Sequence, residues 1–350
     1  MQKKHQKKYY GGDKENNQSL ATIDKLMEYA IENIFIPDAG ISMVNQYTEI
    51  ADQLINKHSI KNIIVSSPTH SMQLVGKSLK KRFGEKINFI ADFRDSWNTR
   101  PTFGKHFFIS DYISRKMERG VLSNCDHFTY VSEPILTKIE DTFHLNIKSR
   151  ATLIMNGFNE SIQIHQNDEA KKRDKIKIGY FGTATDLAKS NLSIHTLLEV
   201  LKPNPEFQEG LEFYFYGALG FAYHDPKDFP CIQNKGSVSH ADALKKMGEM
   251  DFLLLLYSDP KSSDEVITGK IFEYISRKKP IICLSPKNME ARRIIEMYGI
   301  GITIDIEDPK DIKKKIESLP TFLNKDFYKD LDISQFKREN QYKKFLELLQ

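Results

Sequence analysis

Short apolar runs alternate with stretches of helical periodicity along most of the chain. Near the start, Ile23, Leu26, Met27, Ala30 and Ile34 recur at three- and four-residue spacing, predicting a helix over about Leu20–Ile34. A second helix is expected from about Asn45 to His58. The run Asn62-Ile63-Ile64-Val65-Ser66-Ser67-Pro68 then reads as a buried parallel strand entering a small-residue turn. Ser71–Phe83 has helical spacing and Ile87–Ala91 is the next strand. Strand, helix and strand at this spacing form a βαβ unit of a doubly wound sheet. The alternation continues with a helix over Ser110–Ser123, a strand over His127–Ser132 and a helix opened by Pro134. A strand over Thr152–Phe158 ends in the Asn156-Gly157 turn.

The polar stretch Glu160–Arg173 reads as a linker, and a second alternating series follows it. Its strand Ile176–Thr183 enters a glycine turn, and a helix is expected over Asn191–Leu201. Strands are expected at Leu211–Gly217, Phe252–Leu256, Ile281–Leu284 and Ile300–Ile304, with Ile232–Val238 and the helix Ala241–Met250 between them. The pattern predicts an α/β chain in four parts. These are a polar tail over 1–19, a first doubly wound domain over 20–160, a second over 174–330, and a closing helix within 331–350. That helix would carry Tyr342, Phe345, Leu346, Leu348 and Leu349.

Composition narrows the classes. A length of 350 residues exceeds the usual single core, in keeping with two domains. Hydrophobic residues at 40% and charged residues at 28% fit a globular chain, and no apolar run approaches the ~20 residues that span a bilayer. The opening Met-Gln-Lys-Lys-His-Gln-Lys-Lys lacks the apolar core of a signal peptide. Cys125, Cys231 and Cys283 are scattered, with no C-x-x-C spacing, which argues against a disulfide framework and a zinc site and fits reduced cytoplasmic thiols. The net charge of +4 is too small to imply nucleic acid, although it allows peripheral contact with an anionic membrane surface.

The richest chemistry lies in Asp264-Glu265-Val266-Ile267-Thr268-Gly269-Lys270-Ile271-Phe272-Glu273-Tyr274-Ile275. Ile267, Ile271, Tyr274 and Ile275 repeat at helical spacing, and Pro280 follows before the next strand. Thr268 is the expected N-cap, which puts Gly269 and Lys270 in the first turn. Backbone N–H groups at such a terminus, beside a glycine and a lysine, suit a phosphate. Glu273 would then reach sugar or ribose hydroxyls, with Glu265 approaching from the preceding loop. The Glu-x7-Glu spacing alone equally describes a surface helix with two solvated glutamates. In the first half, Asp92-Phe93-Arg94-Asp95-Ser96-Trp97 stands at a strand's carboxyl end, where open parallel sheets bind ligands. It also reads as a salt-bridged loop around a packed indole.

The order and spacing of several segments together resemble family 4 glycosyltransferases of the GT-B fold, over nearly the whole chain. They are Ser66-Ser67-Pro68, Ala91 to Trp97, Tyr130-Val131-Ser132, Ile154 to Phe158, Gly179 to Thr183, Phe215-Tyr216-Gly217, and Glu265 to Pro280. The resemblance implies two facing Rossmann-like domains and retaining transfer of a sugar from a nucleotide-sugar donor to a glycan or lipid-linked acceptor. It implies no cofactor and no metal, so Asp92/Asp95 and Asp305/Glu307/Asp308 are expected to make polar contacts only. Glu273 would bind the ribose and Glu265 the donor sugar. Thr268, Gly269, Lys270 and the helix terminus would hold the diphosphate, with Gly182, Thr183 and Lys189 opposite. The arginine that family members often carry shortly before that lysine is missing from Thr183–Ala188. Asp92, Arg94 and Asp95 would face the acceptor or donor sugar, and Ser67, His70 and Trp97 would line the acceptor side.

Family members open with further βα units before the region matching Ile36-Pro37-Asp38, so the first domain is expected to be shortened. A paired-carboxylate glycosidase could be imagined for Glu265 and Glu273, but Thr-Gly-Lys between them favours phosphate. A nucleotide-sugar epimerase of the same fold and a non-catalytic nucleotide-sugar-binding subunit stay open beside the transferase. The expected location is the cytoplasm, at the inner face of the membrane.

Overall fold

A computed structural model of the chain describes residues 33–99, 107–159, 175–184, 191–219, 226–257 and 264–350. The polar tail, most of the first expected helix and the Glu160–Arg173 linker lie outside them. The described residues divide into two compact units, one running to Phe128 and including Gln350, the other from Thr129 to Leu349.

In the first unit, strand β1 (Asn62–Ser67) pairs in parallel with β2 (Asn88–Phe93), Asn62 opposite Asn88 and Ser67 opposite Phe93. Every residue of β2 is buried, as its apolar run predicts, and the helix Gln73–Phe83 packs on it. A Cβ at Gly76 of that helix would strike the Phe89 ring, so the glycine sets how closely helix and strand approach. β1 departs from the expected buried strand, since Ile64 is 46% exposed. The cause is position: the sheet order is β1-β2-β3-β4, and β1 is its edge. β3 spans His127–Tyr130, with the division between units inside it, and β4 is Ala151–Leu153. The helices Val44–His58 and Phe108–Leu122 lie within two residues of their expected bounds.

The second unit holds a six-stranded parallel sheet in the order β10-β9-β8-β5-β6-β7. Its strands are β5 (Ile176–Phe181), β6 (Leu211–Tyr216), β7 (Ile232–Gly236), β8 (Phe252–Leu256), β9 (Ile281–Ser285) and β10 (Gly301–Asp305). β8 and β9 are buried throughout, because central parallel strands are covered on both faces. Ile178, Phe213, Leu254, Ile282 and Leu284 belong to the core built around the sheet. Strand order reverses between β5 and β8, the point where such sheets open a crevice at their carboxyl ends.

The helices Pro205–Gly210, Glu290–Tyr298 and Pro309–Phe322 go beyond the sequence reading. Within residues 331–350 the expected continuous helix is instead a turn at Ile333–Phe336, a short helix at Arg338–Lys343 and a turn at Leu346–Leu348. Bonds to residues 153–158 hold this segment in place of a longer helical ladder. Phe158 N–H donates to the Phe336 carbonyl at 3.1 Å, Arg338 N–H to the Phe158 carbonyl at 2.8 Å, and Met155 N–H to Gln341 Oε1 at 2.9 Å.

Candidate functional site

β5 leaves the sheet at Gly182, whose φ of +152° is open to glycine and to few other residues. Gly182 N–H donates to the Tyr216 carbonyl at 2.9 Å. The neighbouring β6 ends at Gly217, with φ +141°, and a Cβ there would collide with the Gly182 carbonyl. The two strand ends therefore pass with only hydrogens between them. Phe181 and Tyr216 stack beneath this crossing, with centroids 4.7 Å apart and planes 5° from parallel. Tyr180 Oη donates to the Thr183 carbonyl at 3.0 Å, which fixes the turn and leaves the Thr183 side chain outward and exposed.

On the other side of the reversal point, β8 runs into the buried Tyr257. The helix Gly269–Ser276 begins after Thr268, the expected cap residue, in extended conformation (φ −68°, ψ 149°). The expected side-chain cap does not form. Thr268 Oγ1 instead lies 3.3 Å from Tyr257 Oη, which also accepts the Thr268 N–H at 3.4 Å. Among the described residues, no side chain thus caps the start of this helix.

Lys270 folds back onto Gly182: a Cβ at Gly182 would occupy the place of the Lys270 ammonium. The same Nζ sits 4.7 Å from the centroid of the Tyr180 ring. Burial holds the Lys270 amine below the ordinary lysine range, with Glu273 pulling the other way. Glu273 is one-third exposed, and His240 Nδ1 approaches its carboxylate at 3.9 Å. Glycine turn, lysine, helix start and Glu273 are thus one local arrangement at the carboxyl edge of the sheet.

Glu265 is 3% exposed and reaches a group that no motif or spacing singles out. Lys138, on the helix Glu133–Phe143, donates to Asp264 Oδ1 at 2.7 Å and Glu265 Oε2 at 3.0 Å. Burial works against the Lys138 ammonium, but the hydrogen bonds to Asp264 and Glu265 outweigh it and raise its pKa above the ordinary lysine value. The loop is tied down further where Glu290 N–H donates to the Asp264 carbonyl at 2.7 Å. Arg277, at the end of the Gly269–Ser276 helix, is also new to the picture. It is 5% exposed, and its Nε and Nη2 meet no hydrogen-bond partner among the described residues.

The first-unit candidates form a cluster of their own. Asp92 is buried, accepts from Ser66 Oγ and has Arg94 Nη1 at 3.4 Å, while Asp95 beside it is half-buried. Ser67 Oγ donates to the Asp92 carbonyl at 3.4 Å. His70 is buried and stacks on Trp97, centroids 5.5 Å apart and planes within 14°. Burial pushes the His70 pKa down to about 4, against the pull of Asp38 and a backbone bond at Ser96. Trp97 is 3% exposed and spends its indole N–H on Ser114 Oγ at 3.1 Å, so its only donor is already engaged. Lys189 lies outside the described residues.

No family model and no curated protein matches the sequence. Solved structures do match in three dimensions. The apo form of the lipopolysaccharide outer core galactosyltransferase WaaB aligns at TM-score 0.61 with 12% identity, over 89% of this chain and 80% of that one. An α,α-trehalose-phosphate synthase (UDP-forming) from Burkholderia vietnamiensis aligns at TM-score 0.61 with 11% identity, over 88% and 75%. A putative UDP-N-acetylglucosamine 2-epimerase from Listeria monocytogenes aligns at TM-score 0.52 with 11% identity, over 89% and 80%. At these identities the likeness is one of fold. The chain is an α/β protein with two Rossmann-like sheets, as in the GT-B glycosyltransferases it matches.

Proposed function

We propose that the chain is a retaining, metal-independent glycosyltransferase. It would move a sugar from a nucleotide-sugar donor to a glycan or lipid-linked acceptor in cell-surface polysaccharide synthesis. One observation carries the reading: the desolvated Lys270 amine lies against Gly182 at the point where strand order reverses, beside an uncapped helix start. Breaking a glycosyl–phosphate bond leaves negative charge on the departing diphosphate. A preorganised cation with little water left to lose stabilises that charge strongly. The helix terminus adds its own positive potential.

In this reading Glu273 takes the ribose hydroxyls and Glu265 those of the donor sugar, with Lys138 fixing the Glu265 carboxylate. Gly182 and Thr183 border the phosphates, and Lys189 supplies a second contact. Asp92, Arg94 and Asp95, with Ser67 and His70, face the acceptor or the transferred sugar. The enzyme would work in the cytoplasm, in peripheral contact with the inner face of the membrane. The likeness to a galactosyltransferase and to a synthase named as UDP-forming supports the transferase reading. The likeness to a UDP-N-acetylglucosamine 2-epimerase favours, as a second reading, epimerisation of the same kind of nucleotide-sugar without an acceptor.

Calorimetric titration with UDP, GDP and their common sugar conjugates tests the proposal, repeated on Glu273→Gln. Binding of one nucleotide, weakened about tenfold or more in the variant, is expected from loss of a charged hydrogen-bond acceptor. Absence of binding to any of them would overturn the donor site. Conversion of a bound nucleotide-sugar into its epimer without acceptor would replace the transferase reading by the second one.

A further inference from the structure

The first turns of the helix Phe108–Leu122 are amphipathic the wrong way round for a helix in water, while the apolar Val121 and Leu122 at its end turn inward in the ordinary way. Its inward positions Ser110, Ser114 and Glu118 are buried, and two of these hold the Trp97 loop: Ser114 through the indole N–H, Glu118 through Asn98. Its outward positions at the start of the helix are large and apolar: Phe108 is 87% exposed, Ile109 69% and Tyr112 61%. A helix against solvent normally shows the reverse, with its apolar stripe inward. Asn33 extends the patch. Its Oδ1 accepts from Phe107 N–H at 2.6 Å and its carbonyl from Ser110 Oγ at 3.3 Å, which brings Ile34, 72% exposed, next to the helix start.

The composition of the stripe changes along its length. At helical spacing from Phe108 and Tyr112 stand Arg115, Lys116 and Arg119 on the same outward side, with Lys116 and Arg119 exposed. The acidic residue beside them, Asp111, is taken up by Arg115 Nε at 2.7 Å. One face is therefore apolar and aromatic over its first turns and basic over its last. Apolar and aromatic side chains suit the boundary between headgroups and acyl chains, and basic ones suit anionic headgroups.

We propose that this face docks onto an anionic lipid bilayer, with Phe108, Ile109 and Tyr112 inserted at the boundary and Lys116 and Arg119 against the headgroups. The inference deepens the membrane contact in the proposed function. It names the surface responsible and depends on neither the donor site nor the lysine-rich opening residues.

The test is co-sedimentation of the full chain with vesicles of phosphatidylcholine alone and with about a third phosphatidylglycerol, at low and physiological salt. Wild type should partition to the anionic vesicles and less so as salt rises. Phe108→Asp with Ile109→Asp should weaken partition about tenfold or more, since both side chains are exposed and no core contact is lost. Lys116→Glu with Arg119→Glu should remove the preference for anionic over neutral vesicles. Undiminished binding by the first variant, with the opening lysines then carrying it alone, would overturn the proposal. So would absence of wild-type binding, or a wild-type dimer that Phe108→Asp with Ile109→Asp splits. Nucleotide titration of that variant without lipid separates the two readings: wild-type affinity with lost vesicle binding leaves the donor site standing.

Discussion

Lys138→Met tests whether Glu265 is held by the bridge described above. The substitution keeps the stem and removes an ammonium that donates to Asp264 at 2.7 Å and Glu265 at 3.0 Å. Removing one member of a fully buried pair typically costs ~3–5 kcal/mol, because the remaining charge is left uncompensated. Glu265 is that buried, but the Lys138 and Asp264 side chains are 25% and 26% exposed, so solvent screens part of the loss. A cost of about 2 kcal/mol follows, or a drop of about 0.7 M in the urea midpoint for an m-value near 3 kcal/mol/M. The assay is a double-mutant cycle with Glu265→Gln, followed by far-ultraviolet circular dichroism. A coupling of about 1–2 kcal/mol is expected, and effects that simply add within ~0.5 kcal/mol would refute the bridge. The sign with pH is also fixed. A lysine whose folded pKa is raised stabilises below its unfolded value and loses that contribution only as pH rises through the folded one. The cost of Lys138→Met should therefore be level from pH 7 to about pH 9.

Three further outcomes can be read independently. Affinity for the cognate nucleotide should fall as pH rises, beginning below the ordinary lysine range, because the phosphate needs Lys270 protonated and burial favours its neutral form; calorimetry in two buffers of different ionisation heat would show the proton taken up. Gly182→Ala should cost about 1–3 kcal/mol in thermal or urea unfolding from backbone strain at φ +152°, and should weaken nucleotide binding by displacing the Lys270 ammonium; a variant with wild-type stability and affinity would remove the glycine from the site. His70 is buried with a pKa near 4, so unfolded chains bind more protons than folded ones below pH 6.5, and stability should fall by up to about 3 kcal/mol between pH 6.5 and 4. Trp97, stacked on His70 and the only tryptophan, reports that loss by fluorescence, and His70→Phe should flatten it over the same range.

What could be read in advance was what is local. The runs Phe252–Leu256 and Asn191–Leu201 form a strand and a helix with the expected ends, because continuous burial and helical spacing are written into adjacent residues. Lys270 and Glu273 share one helix, so their nearness was a matter of spacing. The missed helix Glu290–Tyr298 has its signal too, in Ala291, Ile294, Ile295 and Tyr298. Other features depend on tertiary context. Lys138 and Glu265 are 127 positions apart, and only the packed chain joins them. The Thr268 cap was lost to a competing partner, Tyr257, that spacing could not reveal. Exposure of Ile64 followed from the edge position of β1, since an edge strand and a central one share the same apolar run.

The order of strands in the six-stranded sheet bears on how this chain is born. β5 lies at its centre, and it meets β6 early but must wait for β8 on its other side. A ribosome adding ~5–20 residues per second needs roughly 4 to 14 seconds to pass from Phe181 to Phe252. Throughout that interval one edge of β5 has no strand to pair with. Those seconds are the window in which a nascent chain carrying Ile176–Phe181 is open to chaperones and to other nascent chains, and slowing translation between Gly182 and Asp251 would widen it.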